Sequence, residues 1–495
     1  MIIFFIIICI EKNRCYDLDS DEKYMLFNML KNESDTISKK YLKNNNNGSL
    51  LNYIEIGNGS YCLSNKLTSA YFGRSKLTIG VTGGSATQGD YAWPNLLSKY
   101  LSDFGFTVDM RNAAQGSTSQ VVTGPCLQQL IGGEGENDLI LWEFGMNDIM
   151  NVEKHRTDKI VSDENVCTLS PIRCAAADCW IRDAIDSKPL SIGFVHLWDI
   201  MIHDYKFRPN DKSELPDRSF RPTNIAMRRY VKNFNSYFSI NVMDMIHDLN
   251  LVDDKTKFLR DIHHPNDYGY EIITDLLYYA LLETWMNGLE AFKDSCTTQS
   301  VSTTPPMFNL PNILYPKSGI KPHCLMSFPP QFGTYSAITP STPLNASSIV
   351  HMGKVDAHRS DRKDFFLPSE CEEENGNGGL YFKIRISNPK RLHIDVGLSD
   401  PKVAQQNYKV FFDNVELQNH LHSNSDNSIE NEINHSFLIW YGGWQHYFNQ
   451  SIDKSDKRLF HNLRICGKKQ KVWGWHDASS YTYADALIAR IVFFE

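Results

Sequence analysis

Apolar and polar positions change their period partway along the 495 residues. From Leu77 to about Trp285, short apolar, β-branched runs alternate with stretches of helical spacing. Leu77–Val81, Thr107–Arg111, Asp138–Phe144, Ser191–Leu197 and a short run around Ser239–Val242 read as strands. In Ala92–Phe104 the residues Leu96, Leu97, Tyr100, Leu101 and Phe104 fall at helical spacing, and Ser119–Leu130 and Asp267–Trp285 also read as helices. Strands alternating with helices imply right-handed crossovers and a parallel sheet. In such a sheet the working residues gather beyond the carboxyl ends of the strands. Upstream, Asp21–Leu30 reads as a short helix, and the asparagine-rich stretch Leu42–Leu50 as a solvated loop.

Downstream the helical period disappears. From Cys296 to about Ala346 the chain is rich in Thr, Ser and Pro, as a linker would be, although Cys324 and the aromatics there could dock part of it. Leu380–Ser387, Leu392–Leu398, Tyr408–Phe412 and Ala486–Phe494 then read as strands, several with polar and apolar residues alternating. Their number and spacing fit a β-sandwich. Trp440, Tyr441, Trp444, Trp473 and Trp475 could form a platform for sugar stacking, although such residues are more often half-buried core.

Composition narrows the function. A net charge of −8 with scattered Lys and Arg offers no basic footprint, which argues against a nucleic-acid partner. Met1–Ile10 is an apolar run of signal-peptide length, ending at Glu11-Lys12-Asn13-Arg14 and too short to span a bilayer. Eleven cysteines without a CxxC pair suggest disulfides rather than zinc. Asn32, Asn47, Asn58, Asn345, Asn434 and Asn449 stand in N-x-S/T acceptors. These features together read as a secreted glycoprotein without stable membrane insertion. The expected organisation is a signal peptide at 1–15, an N-terminal extension at 16–75, an α/β domain at 76–295, a linker at 296–346 and a β-rich accessory domain at 347–495.

The chemistry-bearing residues lie at the expected strand ends. Leu77–Val81 stops at Thr82-Gly83-Gly84-Ser85, where the two glycines permit a tight backbone path and Ser85 would be held on a rigid edge. Amides at the start of the following helix could face developing negative charge there. On these residues alone, a plain Gly-Gly-Ser turn reads as well as a nucleophile. The second strand ends in Asn112-Ala113-Ala114-Gln115-Gly116, and the third in Gly145-Met146-Asn147-Asp148. Before the last helix stands Asp261-Ile262-His263-His264-Pro265, in which Asp261 and His264 could meet if the loop turns. An imidazole held by a carboxylate is the base a serine hydroxyl needs. His196, Asp199, His203 and Asp204 form another group, but they lack a third histidine or a cysteine at ligand spacing, so pocket lining or surface is preferred to a metal.

Four blocks in one order, Gly83-Gly84-Ser85 through Gly89, the glycine of NAAQG, GMND and DIHHP, resemble the SGNH, or GDSL-type, hydrolase family over roughly Lys76–Trp285. Gly84 stands where many members carry Asp, and Asp163–Trp180, with Cys167, Cys174 and Cys179, has no family counterpart. The resemblance implies a three-layer, flavodoxin-like parallel sheet flanked by helices, with neither metal nor cofactor. It implies Ser85 as nucleophile, His264 as general base and Asp261 as its orienting carboxylate. His264 is chosen over His263 by the D-x-x-H-P spacing. The oxyanion would be held by the amides of Ser85 and Gly116 and the side chain of Asn147. One such donor is worth about 3 to 4 kcal/mol, so loss of Asn147 is expected to nearly abolish turnover of an ester without unfolding the protein, as paired kinetics and calorimetry would show.

The expected activity is therefore hydrolysis of an acyl ester through a Ser85 acyl-enzyme, with an O-acetylated polysaccharide favoured as substrate because the family includes carbohydrate O-deacetylases. A lipid esterase, an acyltransferase and a non-catalytic glycan-binding protein that keeps the fold are the alternatives. The sequence leaves oligomeric state open.

Overall fold

The computed structural model describes residues 18–42, 49–57, 59, 61–114, 120–146, 180–198, 236–251, 254–261 and 263–290, and beyond them 322–326, 338–340, 349–351, 364–366, 380–384, 391–397, 408–416, 444–449, 461–467 and 487–494. Two compact units emerge. One comprises residues 1–120, 131–149 and 156–308, the other 121–130, 150–155 and 309–495.

The first unit is an α/β fold. Its strands are β1 (Ile54–Ile56), β2 (Leu77–Gly83), β3 (Val108–Asn112), β4 (Leu139–Glu143), β5 (Ser191–His196) and β6 (Tyr237–Asn241), in the spatial order β1-β6-β5-β4-β2-β3. All neighbours pair in parallel except β1, which runs antiparallel to β6 and closes that edge. Every residue of β2, β4 and the whole of β5 is buried, as strands covered on both faces must be, and this is why they read as apolar runs. The chain leaves β2 for β3 on one side and returns to β4 on the other. Strand order thus reverses at β2, and a crevice opens beyond its carboxyl end.

The helices of this unit are α1 (Ser20–Leu42), α2 (Tyr61–Tyr71), α3 (Trp93–Asp103), α4 (Val242–Asp248) and α5 (Asp267–Glu290). Helix α5 is apolar on nearly every side because α1, α2 and α3 all pack against it. Its approach to α2 is close: a Cβ on Gly288 would lie 2.1 Å from Ser64 Cβ. Helix α1 is much longer than the stretch 21–30 its apolar pattern suggests. Its buried stripe is Leu26, Leu30, Ser34, Ile37 and Tyr41. Ser34 interrupts the apolar spacing, yet it is buried because its hydroxyl donates to Glu283 Oε1 on α5 at 2.7 Å. Tyr41 donates to the buried Asp275 at 2.6 Å, and Lys40 bridges Asp275 and Glu271. Residues 20–71 therefore supply two helices and an edge strand to this unit.

The segment 119–130 also differs from a single helix. It is broken into Gln120–Thr123, a tight turn at Gly124–Cys126 and Leu127–Ile131. Pro125 has no amide proton to continue the helical ladder.

The second unit contains two antiparallel sheets, the sandwich-like half expected from the strand pattern. One holds β7 (Pro322–Met326), β9 (Ile349–His351), β10 (Asp364–Phe366), β12 (Arg391–Gly397), β15 (Trp444–Asn449) and β17 (Leu487–Phe494). The other holds β8 (Ile338–Pro340), β11 (Leu380–Ile384), β13 (Tyr408–Phe412), β14 (Val415–Glu416) and β16 (His461–Gly467). Val410 and Phe412 on β13, with Leu463 and Ile465 on β16, point into its core. Asp413 and Asn414 both take positive φ, as a two-residue hairpin turn between β13 and β14 requires. Of the five aromatics considered for sugar stacking, Trp444 lies on β15, and Trp440, Tyr441, Trp473 and Trp475 fall outside the described residues. The sequence positions 1–15 and most of 296–346 also fall outside them. No helix among the described residues is long and apolar enough to cross a membrane.

Candidate active site

Ser85 stands in a tight turn just past β2, half-buried, at the point where strand order reverses. The turn is closed by Thr87 N–H donating to Gly84 O at 3.1 Å, and Gly84 N–H donates to Glu143 O at the end of β4 at 3.1 Å. Gly83 has no room for a side chain: an added Cβ would meet Glu143 O at 2.6 Å and Thr87 Oγ1 at 2.7 Å. The strand does not hand over directly to a helix at Ser85. Helix α3 begins only at Trp93, with Pro94 in its first turn. The intervening loop passes through Gly89 at φ +104°, and Asn95 Nδ2 donates to Gly89 O and Asp90 O. The amides near Ser85 are therefore those of its own turn rather than of a helix start.

The Asp261–His264 segment is shaped by its neighbours. Asn266 caps α5 by accepting from Gly269 N–H at 2.9 Å, while its Nδ2 donates to Thr256 O and Lys257 O. Arg260 N–H donates to His264 O, and Leu259 pairs with Pro265, so the loop closes on itself. Trp198 Nε1–H donates to His263 O at 2.6 Å. Inside the loop Asp261 Oδ1 accepts from the amides of His263 at 3.0 Å and His264 at 2.8 Å.

The other oxygen of Asp261 lies 2.8 Å from His264 Nδ1, and His264 Nε2 lies 2.8 Å from Ser85 Oγ. The structure thus places Ser85, His264 and Asp261 in one hydrogen-bonded chain, with His264 rather than His263 against the serine. Burial pushes the Asp261 carboxyl up, but the His264 ring and the two amides outweigh it and hold the group well below the usual carboxylate range. An ionised Asp261 fixes the proton on Nδ1 and leaves Nε2 to accept the Ser85 hydroxyl. That is the arrangement by which an imidazole can take a proton from an attacking oxygen.

Gly116 and Asn147 follow the ends of β3 at Asn112 and of β4 at Glu143, and both lie outside the described residues. So do Asp163–Cys179 of the inserted stretch, and Asp199, His203 and Asp204. His196 is buried at the end of β5, its ring stacked on Phe194 and edge-on to Trp142. Asp261, His263 and His264 each bring one potential metal-ligand atom within 4.8 Å of the others, but both ring nitrogens of His264 already face Asp261 and Ser85.

The apolar pattern does not single out Glu143, Thr87 or Asn112. Glu143 is fully buried, and its Oε2 accepts from Thr87 Oγ1–H at 2.7 Å. Asn112 Nδ2 donates to Thr87 O at 2.8 Å, and Asn112 Oδ1 accepts from Ala114 N–H at 3.0 Å. The one signal for this in the sequence is a carboxylate ending an otherwise apolar buried strand, LILWE, where burial demands partners.

No protein-family model matches the chain, and no curated protein matches it. Solved structures do. A two-domain esterase (CEX) active on acetylated mannans is 13% identical with a TM-score of 0.47, over 90% of this chain and 98% of that one. The psychrotrophic esterase EstA from Pseudoalteromonas sp. is 14% identical with a TM-score of 0.29, over 42% of this chain and 98% of that one. TesA is 16% identical with a TM-score of 0.25, over 42% of this chain and 99% of that one. In fold, and in the order of the residues at its strand ends, the α/β unit is similar to the SGNH, or GDSL-type, hydrolases.

Proposed function

We propose that the protein is a secreted serine esterase that removes short acyl groups, O-acetyl above all, from a carbohydrate. The observation that carries the esterase reading is the hydrogen-bonded chain from Ser85 through His264 to Asp261 at the strand-order reversal. As Ser85 Oγ attacks the acyl carbonyl, its proton passes to His264 Nε2, and the carbonyl electron pair moves onto oxygen as a tetrahedral oxyanion. The Ser85 amide, Gly116 amide and Asn147 side chain hold that charge. Collapse breaks the bond to the alcohol oxygen, which leaves with the His264 proton, and an acyl-serine remains. Water then attacks the acyl-serine, giving its proton to His264, and the carboxylic acid departs as Ser85 is protonated again.

Two features support a carbohydrate as the alcohol. The resembled family includes carbohydrate O-deacetylases, and Tyr91, 82% exposed on the loop between the Ser85 turn and α3, offers an aromatic face to a sugar ring. Secretion is supported by the apolar start of the chain, the glycosylation acceptors and eleven cysteines without a CxxC pair. The test is a substrate series: p-nitrophenyl esters of increasing acyl length beside an acetylated polysaccharide. Acetate release from the polysaccharide, with activity falling steeply beyond short chains, is the expected result. Preference for long chains would make it a lipid esterase. Acyl transfer to an added sugar would make it a transferase, and no turnover at all would leave a glycan-binding protein.

A further inference from the structure

Thr87 lies two residues past Ser85 and is completely buried, yet all four of its polar functions are engaged. Its amide closes the nucleophile turn on Gly84 O at 3.1 Å. Its hydroxyl accepts from Trp93 Nε1–H at 3.1 Å, so its own proton is directed to Glu143 Oε2 at 2.7 Å. Its carbonyl accepts from Asn112 Nδ2 at 2.8 Å, and the same Asn112 holds the amide of Ala114 on the path toward Gly116. Three elements meet at this one residue: the end of β4 through Glu143, the end of β3 through Asn112, and the first turn of α3 through Trp93.

We propose that Thr87, anchored by the buried Glu143 carboxylate, is the positioning residue that fixes the Ser85 turn relative to the Asn112–Ala114 segment. The inference rests on the serine-esterase reading, because the two segments it ties together are the turn that carries the nucleophile and the segment that leads in sequence to Gly116, the other backbone donor of that reading. The physical reason is the separation of those donors. An oxyanion hole works only if its N–H groups sit where the charge will form, and such geometry tolerates displacements of well under an ångström. Neither segment is part of the same strand, so their relative position depends on the bonds that cross between them. Thr87 makes those bonds inside the protein, where no water competes. Glu143 accepts in turn from the Gly84 amide at 3.4 Å, so the carboxylate grips the turn on both sides of Ser85.

The experiment compares Thr87→Val, Thr87→Ser and Asn112→Asp with the unaltered protein and Ser85→Ala. Turnover of p-nitrophenyl acetate is measured per active site, with the sites counted by end-point labelling with diethyl p-nitrophenyl phosphate, and for Ser85→Ala, which has no serine to label, per mole of protein. Valine keeps the shape of threonine and removes only the hydroxyl. Thr87→Val is expected to lower kcat per labelled site about 10²-fold with KM little changed, and Thr87→Ser to recover most of it. The pH profile should keep its shape, since Ser85, His264 and Asp261 are untouched. Asn112→Asp replaces the donor to Thr87 O while keeping the acceptor for Ala114, and should cost about tenfold or more in the same quantity. A merely structural role would lower the labelled fraction and leave per-site kcat alone. The proposal is overturned if Thr87→Val stays within about threefold of the unaltered protein per site, or if serine fails to rescue. Should the valine variant not fold, Asn112→Asp decides by the same criterion. If Ser85→Ala is as active as the unaltered protein, the esterase reading fails and takes this proposal with it; if Ser85→Ala is inactive and the others are normal, this proposal fails alone.

Discussion

Ser85→Ala is expected to lower kcat for ester hydrolysis by about 10⁵-fold, with the thermal transition little changed. The hydroxyl oxygen is the only atom that changes. Ser85 is half-buried in a turn whose backbone bonds, Thr87 N–H to Gly84 O and Gly84 N–H to Glu143 O, do not involve the side chain. Removing the oxygen therefore leaves the turn intact and opens no sizeable cavity. What it removes is the atom 2.8 Å from His264 Nε2, and with it the covalent step. On the proposed mechanism the oxyanion donors would still favour attack by water, so the remaining rate should stand about 10³-fold above the uncatalysed reaction. Nitrophenol release by the two proteins, with calorimetry on both, checks the expectation. Equal rates from two folded proteins would remove Ser85 from the chemistry and favour the glycan-binding alternative.

How much of this was legible beforehand follows from what each element packs against. Strands β2, β4 and β5 are buried on both faces and so appear in the sequence as unbroken apolar runs, which placed their carboxyl ends within a residue or two. Their ends matter most, because Ser85 lies directly beyond one of them. Helix α5 was equally visible, since helices on several sides make nearly all of its surface apolar. Helix α1 was not, because Ser34 sits in the buried stripe and a serine there looks like an exposed position. Only the partner, Glu283 on α5, explains it, and that contact joins residues 249 apart in the chain. Strand β1 has three residues, too few for any period, and exists as an edge because β6 offers it a register.

The site was legible to the same extent and no further. Ser85, Asp261 and His264 could be read from short blocks, but sequence offered no way to learn which nitrogen faces which partner. Nor did it separate His264 from His263, whose ring centroids lie 4.1 Å apart, except by spacing. The supporting residues Thr87, Glu143 and Asn112 were illegible because their role lies in cross-strand bonds. A threonine in a turn and an asparagine after a strand are ordinary residues until their partners are known.

Asp261→Asn is expected to lower kcat by about 10⁴-fold while preserving the shape of the loop. The reason lies in which oxygen does what. Oδ1 accepts from the amides of His263 and His264, and the carbonyl oxygen of an asparagine can do the same. The Nδ2 amide would then replace Oδ2, 2.8 Å from His264 Nδ1. Two N–H groups cannot face each other, so the ring proton moves to Nε2, which can then no longer accept the Ser85 hydroxyl. The loop survives and the base is lost. Stability should respond to pH in a defined direction. The Asp261 carboxyl is held below its ordinary value of 3.8, so its contribution is complete above that pH and is lost as pH falls from there through the folded-state value. The deficit of Asp261→Asn against the unaltered protein should therefore be constant near neutrality and shrink below about pH 4. Its size will be modest, because the side chain is 43% exposed and the pair is partly screened by water. Urea titrations at neutral and acid pH test the stability claim, and steady-state kinetics test the other. An asparagine variant that keeps more than about a tenth of the original kcat would mean that the imidazole is oriented by something other than Asp261.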